Sequence, residues 1–128
     1  MSDYTITNLL EAKDSAPEYG IDALGQFIFP REELGATTTG LALQRLKPGK
    51  RQPFGHRHVD AEEIALVLAG SGRVKLDDEI RDLRTYDAIR IAPAVKRAFE
   101  AGPDGLELLV FGPRHEGDGE LDHGFWTD

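Results

Sequence analysis

The sequence predicts an all-β domain, an antiparallel barrel or two-sheet jelly-roll sandwich with little helix. Three observations carry that expectation. Short apolar or alternating runs recur at regular spacing from Thr38 to Phe111. Turn-forming clusters separate them, among them Lys47-Pro48-Gly49-Lys50, Asp77-Asp78 and Gly102-Pro103-Asp104-Gly105. No long window shows the ~3.6-residue period of an amphipathic helix.

Taken in order, residues 1–30 form a weakly patterned arm, expected to cover the barrel or a partner. Asn8-Leu9-Leu10-Glu11-Ala12 suits one helical turn or a short edge strand. Asp14-Ser15-Ala16-Pro17 and Tyr19-Gly20 read as loop, and Gln26-Phe27-Ile28-Phe29 as a short strand stopped by Pro30. The barrel proper is expected over residues 31–114. After a turn at Arg31-Glu32-Glu33-Leu34-Gly35, strands are predicted at 38–46, 52–58, 63–68, 73–76, 79–83, 87–92, 96–100 and 106–111. Gly70-Ser71-Gly72 reads as a hairpin turn, and Asp77-Asp78 as another. Residues 115–128 make an acidic tail, with Glu116, Asp118, Glu120, Asp122 and Asp128 and no Lys or Arg. Such a segment is expected to be a solvated, partly disordered end. Phe125 and Trp126 pull the other way, because adjacent aromatics need a surface to pack on, and a tail folded back over the barrel or onto a partner is the alternative. His115 and His123 are expected at the surface.

Length and composition bound the rest. The chain has 128 residues, enough for one domain with a single core. It is 40% hydrophobic and 30% charged, an ordinary soluble balance. There is no apolar run near the ~20 residues that span a bilayer, and the first residues lack the pattern of a signal peptide. Cysteine is absent, which removes disulfides and thiol nucleophiles and fits a reducing cytoplasm. A net charge of −8 opposes nucleic-acid backbones and anionic membranes as partners.

The chemistry concentrates in His56-Arg57-His58-Val59-Asp60-Ala61-Glu62-Glu63. In an extended strand, residues two apart face one side, so both imidazoles reach one point. Four residues separate His58 from Glu63, room for a turn before the next strand. Two imidazoles and a carboxylate suit a first-row divalent metal with open positions. They equally suit a polar network lining a half-buried pocket, and the spacing alone leaves both readings open. Other chemistry drops out. There is no Gly-x-Ser-x-Gly elbow and no phosphate-binding glycine loop before a helix. Glu62-Glu63 and Asp77-Asp78 are adjacent pairs whose members face opposite ways in a strand.

The run His56-x-His58-x4-Glu63-x6-Gly70 resembles the first motif of the cupins, and Asp87-Ala88-Ile89-Arg90-Ile91-Ala92-Pro93 the start of their second. The likeness spans roughly residues 40–112. It implies a small single-domain cupin barrel, often dimeric, with His56, His58 and Glu63 as ligands of a divalent metal (zinc, nickel, manganese or iron). The second motif departs from the pattern. Metal-holding cupins usually read Pro-x-Gly-x-x-His there; here Val95 stands at the glycine position and Ala98 at the histidine position. Gly49 also precedes His56 by one residue more than is usual. These departures imply a metal held weakly or not at all.

Strand alternation extends the reading. If Glu63 points inward, so do Ala65 and Val67, while Ile64, Leu66 and Leu68 form an apolar outer face. A homodimer would cover that face; residues 1–30 of the same chain are the competing cover. Ala98 would face the site, and Lys96 shares its side if the strand is regular after Pro93. Lys96 could then pair with Glu63 or meet an anionic ligand, unless a bulge reverses the parity. No catalytic residue is readable. The expected function is a cupin that binds a small polar ligand, with a weak metal or none. One alternative is a metal-dependent dioxygenase, isomerase or epimerase, and another a non-enzymatic assembly or regulatory module.

Overall fold

The computed structural model describes residues 3–113 and 117–128. Eight strands form one curled antiparallel sheet. They are β1 (Gly25–Ile28), β2 (Thr39–Leu46), β3 (Gly55–His58), β4 (Glu63–Leu76), β5 (Glu79–Arg84), β6 (Ala88–Ile91), β7 (Arg97–Pro113) and β8 (Gly119–Asp122). Among the described residues the only helices are a 3-10 turn at Leu9–Glu11 and one α-turn at Arg31–Leu34. The backbone order runs β1-β2-β7-β3-β8, and β4 pairs with β5, β6 and β7. His115 and Glu116 lie outside the described residues, so the tail is seen only from Gly117 onward.

Two strands are longer than the turn signals predict. The run through Gly70-Ser71-Gly72 does not form a hairpin; β4 continues through it, paired along its length with β7. The register shifts between Val67 and Ala69 and again between Gly70 and Gly72, the mark of bulges that bend both strands together. Glycine is needed there for space. Gly70 has a φ of +78°, and a Cβ on it would lie 2.1 Å from the Gly105 carbonyl oxygen. β7 likewise runs unbroken through Gly102-Pro103-Asp104-Gly105. By contrast Asp77-Asp78 does turn the chain tightly, with Asp77 at φ 52°.

Alternation then sorts the side chains. Ala65, Val67, Val74, Phe99, Ala101, Leu106 and Leu108 pack with Phe27, Leu46, Leu83 and Ile91 into one buried cluster. Ala16 from the N-terminal arm joins it, and Ile21 and Leu24 pack against it. Asp14 fixes that arm: its carboxylate accepts from the Ala16 and Phe27 amides at 3.0 Å each. Ile64, Leu66 and Leu68, on the opposite face of β4, are only half-buried.

At the end of the chain the structure takes the folded-back alternative over the solvated end. Residues 119–122 form a strand, β8, paired with β3 from Gly55↔Asp122 to His58↔Gly119. The segment after β8 is clamped by cations. Arg51 stacks on Trp126 at 4.2 Å, Arg73 stands 5.3 Å from the same ring, and Arg51 also donates to the Trp126 carbonyl at 2.9 Å. Lys75 donates to the Phe125 carbonyl at 2.7 Å. Phe125 lies so close to Gly55 that a Cβ there would meet its ring at 2.3 Å. The end of the chain is thus met by basic side chains from two separate stretches, Arg51 and the β4 pair Arg73 and Lys75. Such pairing over distance leaves no local sequence signal.

Candidate metal centre

β3 is a short strand, and its two histidines face the same way, as residues two apart must. Their rings lie edge to face with centroids 5.1 Å apart. Glu63, the first residue of β4, reaches the same point. Its Oε1 is 3.3 Å from His58 Nε2 and 3.7 Å from His56 Nε2. One ligand atom from each of the three falls within 4.8 Å of the others. His58 is buried, and His56 and Glu63 are half-buried. The donor set is what a first-row divalent ion takes: imidazole nitrogens and a carboxylate oxygen around one point. The residues present therefore fit a metal ion.

Burial by itself pushes the Glu63 carboxyl up. The neighbouring His56 and His58 imidazoles and the Arg97 guanidinium together outweigh it, and the net shift is down. The carboxylate is thus kept in the charged form a metal requires.

A carboxylate that sequence reasoning missed stands behind His58. Asp118, just before β8, accepts from the Val59 amide at 2.6 Å, Asp60 at 3.1 Å and Ala61 at 3.0 Å. Its Oδ2 is also 3.7 Å from His58 Nδ1. Burial pushes the Asp118 carboxyl up, but the three amides and the neighbouring His58 imidazole more than offset it and hold it down. Asp118 so fixes the loop between the two histidines and Glu63, and presents negative charge to the ring nitrogen opposite the ligand side. Metal-binding histidines usually need such a partner for their tautomer and orientation. Nothing local marks Asp118; it sits 59 positions from Val59 in a run of acids.

The sides of the strand after Pro93 are reversed from expectation. The chain turns at Ala92–Val95, with the Val95 amide donating to the Ala92 carbonyl at 3.2 Å. It enters β7 with Arg97 opposite His56. Arg97 and Phe99 line the cavity in front of the histidines, whereas Lys96 and Ala98 do not. A shift of one residue transfers every side chain to the other face. Lys96 instead pairs with Asp122 at 3.0 Å, and Ala98 is buried away from the site. Arg97 is 1% exposed. Its nearest acceptors are the His56 carbonyl at 3.5 Å and the Ala92 carbonyl at 3.3 Å, and its Nε finds none. A guanidinium has donors only, so it cannot ligate a cation. His123 lines the outer part of the cavity, edge-on to Phe54 at 5.4 Å.

A curled antiparallel barrel with two histidines and a glutamate converging inside it defines the class. The chain matches the cupin domain family over residues 42–112, and it belongs to that family. Protein SchB of Streptomyces halstedii is 35% identical over 77 residues, 60% of this chain and 55% of that protein. The chain thus spans about half the length of the curated relative it matches. Among solved structures, a cupin protein from Bacteroides fragilis is 24% identical with a TM-score of 0.73, covering 91% of this chain and 89% of that one. An oxalate decarboxylase variant from Bacillus subtilis is 21% identical, TM-score 0.75, covering 94% of this chain and 32% of that one. A sugar phosphate isomerase from Silicibacter pomeroyi is 20% identical, TM-score 0.62, covering 70% and 59%. At these identities the likeness is one of fold. Among the described residues no helix is long and apolar enough to cross a membrane.

Proposed function

We propose that this cupin domain holds one divalent metal through His56, His58 and Glu63 and binds a small molecule in the cavity in front of them. The observation that carries the reading is the convergence of two imidazole nitrogens and Glu63 Oε1 within 4.8 Å, on the floor of a cavity of about 720 Å³. That volume is in the range of small-molecule sites. A metal bound there would act as a Lewis acid toward an oxygen of the ligand. The protein's own groups bind and orient. His56 and His58 are held on one strand, Asp118 fixes the loop beyond them, and Arg97 offers positive charge beside Glu63. The oxalate decarboxylase and sugar phosphate isomerase likenesses carry only fold.

The experiment is metal analysis of protein purified without a chelating tag, followed by zinc and manganese titration of the unmodified chain, His58→Ala and Glu63→Gln. One ion per chain is expected, with affinity at least about ten-fold weaker in each variant. Titrations that are flat to millimolar metal in all three proteins would refute the metal centre.

A further inference from the structure

The cavity has two chemically distinct parts. One part, which we call its floor, is the polar cluster of His56, His58, Glu63 and the adjoining Arg97. Its walls carry aromatic side chains, namely Tyr19, Phe27, Phe29, Phe54, Phe99 and Phe111, with aliphatic residues between them. Of the other polar side chains in the lining, the two glutamines Gln44 and Gln52 are bonded to each other, and His123 is exposed. Gln52 donates to Gln44, and its carbonyl accepts from the Phe99 amide at 3.0 Å. A ligand with many hydroxyl groups would leave them facing aromatic carbon, at a cost of about 1–3 kcal/mol for each one buried without a partner. A two-carbon diacid would leave most of the cavity as water against aromatic walls. An occupant that matches this enclosure is ring-bearing and mostly apolar.

Arg97 decides the head group. It is almost fully buried, it lines the cavity, its Nε has no hydrogen-bond partner, and its terminal nitrogens make only long contacts. Burial pushes its pKa down, and Glu63 and Asp77 act against that. A guanidinium so placed has donors to spare, and its fork matches a carboxylate. Its charge is felt strongly by an oxyanion in a low-dielectric setting.

We propose that the cavity binds an apolar, ring-bearing carboxylic acid, its rings against the phenylalanine walls and its carboxylate on Arg97. This rests on reading the floor as a ligand site, but not on the metal being present. The probes are 2-naphthoate, its neutral analogue 2-naphthamide, oxalate and glucose 6-phosphate, titrated calorimetrically with and without added zinc. We expect 2-naphthoate to bind at least ten-fold tighter than each of the other three. Arg97→Gln should weaken 2-naphthoate at least ten-fold and leave 2-naphthamide unchanged. If that variant fails to fold, Phe29→Ala serves instead, since Phe29 is 48% exposed and lines the cavity. It should weaken 2-naphthoate several-fold and leave zinc affinity as it was. Oxalate or glucose 6-phosphate binding more tightly would overturn the proposal, as would equal binding of acid and amide, or no binding of 2-naphthoate at millimolar concentration. Zinc titrated alone separates the two readings. Zinc binding without 2-naphthoate binding sinks the ligand class only; 2-naphthoate binding without zinc binding sinks the metal only.

Discussion

Replacing Trp126 with alanine should release the C-terminal strap and, through it, disturb the metal centre. Trp126 is 8% exposed, with Arg51 stacked at 4.2 Å and Arg73 at 5.3 Å. A tryptophan buries about 150–250 Å², which at ~25 cal/mol per Å² sets a ceiling of roughly 4–6 kcal/mol. The two cation contacts contribute about 1–2 kcal/mol within that total. Water can refill a site at the edge of the barrel, so a loss of about 3 kcal/mol is expected, the lower end for Trp→Ala changes. The assay is urea unfolding followed by far-ultraviolet circular dichroism, because the variant removes the chain's one tryptophan and its fluorescence. A second readout ties the strap to the site. The Val59, Asp60 and Ala61 amides donate to Asp118, which lies on the strap. Their hydrogen exchange should quicken in the variant more than that of the β4–β7 ladder. A loss below about 1 kcal/mol with unchanged exchange would show that the strap docks without Trp126 and refute the reasoning.

Asp118→Asn removes the charge behind His58 and puts an amide donor against backbone N–H groups; zinc affinity should drop about 10–100-fold, and an unchanged isotherm would deny Asp118 its orienting role. Arg97→His puts a ligand where the structure has a cation, so zinc affinity should rise at least about ten-fold, whereas Ala98→His, facing away, should give no gain; the reverse outcome would mean the register after Pro93 is misread. Glu100 is paired with Arg51 at 2.6 Å and Arg73 at 2.7 Å. Burial pushes its carboxyl up, but the two guanidiniums outweigh that and hold it below the usual carboxylate range. Its contribution is therefore complete above the unfolded value of about 4.3 and fades as pH falls through the folded one. The urea midpoint of Glu100→Gln should accordingly fall less steeply on acidification than that of the unmodified chain; parallel curves would remove Glu100 from the acid limb. Ile64, Leu66 and Leu68 remain half-buried in the single chain, and we expect a homodimer to cover them. Light scattering should then give twice the chain mass of 14.1 kDa, and a single-chain mass at micromolar concentration would exclude the dimer.

The sequence by itself determined what depends on near neighbours. The alternation of apolar residues gives an antiparallel all-β chain. Two histidines two apart must share a strand face, and Glu63 stands one turn away at the head of a strand. Those facts put both imidazoles on one face and Glu63 at the start of the next strand; that Glu63 meets them is decided by the fold, since β3 pairs with β7 and β8 and not with β4. The tertiary structure decided whatever depends on parity across a turn or on partners far apart in the chain. The bend at Ala92–Val95 sets the face on which each later residue falls, and composition does not fix that bend. Hence Arg97, not Ala98 or Lys96, meets the site. Gly70-Ser71-Gly72 carries the residues of a hairpin turn, yet pairing with β7 turns it into a bulged continuation of β4. The acidic tail has the composition of a solvated end, yet pairing with β3 and the cations Arg51, Arg57, Arg73, Lys75 and Lys96, brought together by the sheet, hold it in place. Asp118 becomes a support for His58 because β8 pairs with β3 across more than fifty residues of chain. Local physics fixes which residues can share a face; the closure of the sheet fixes which faces meet.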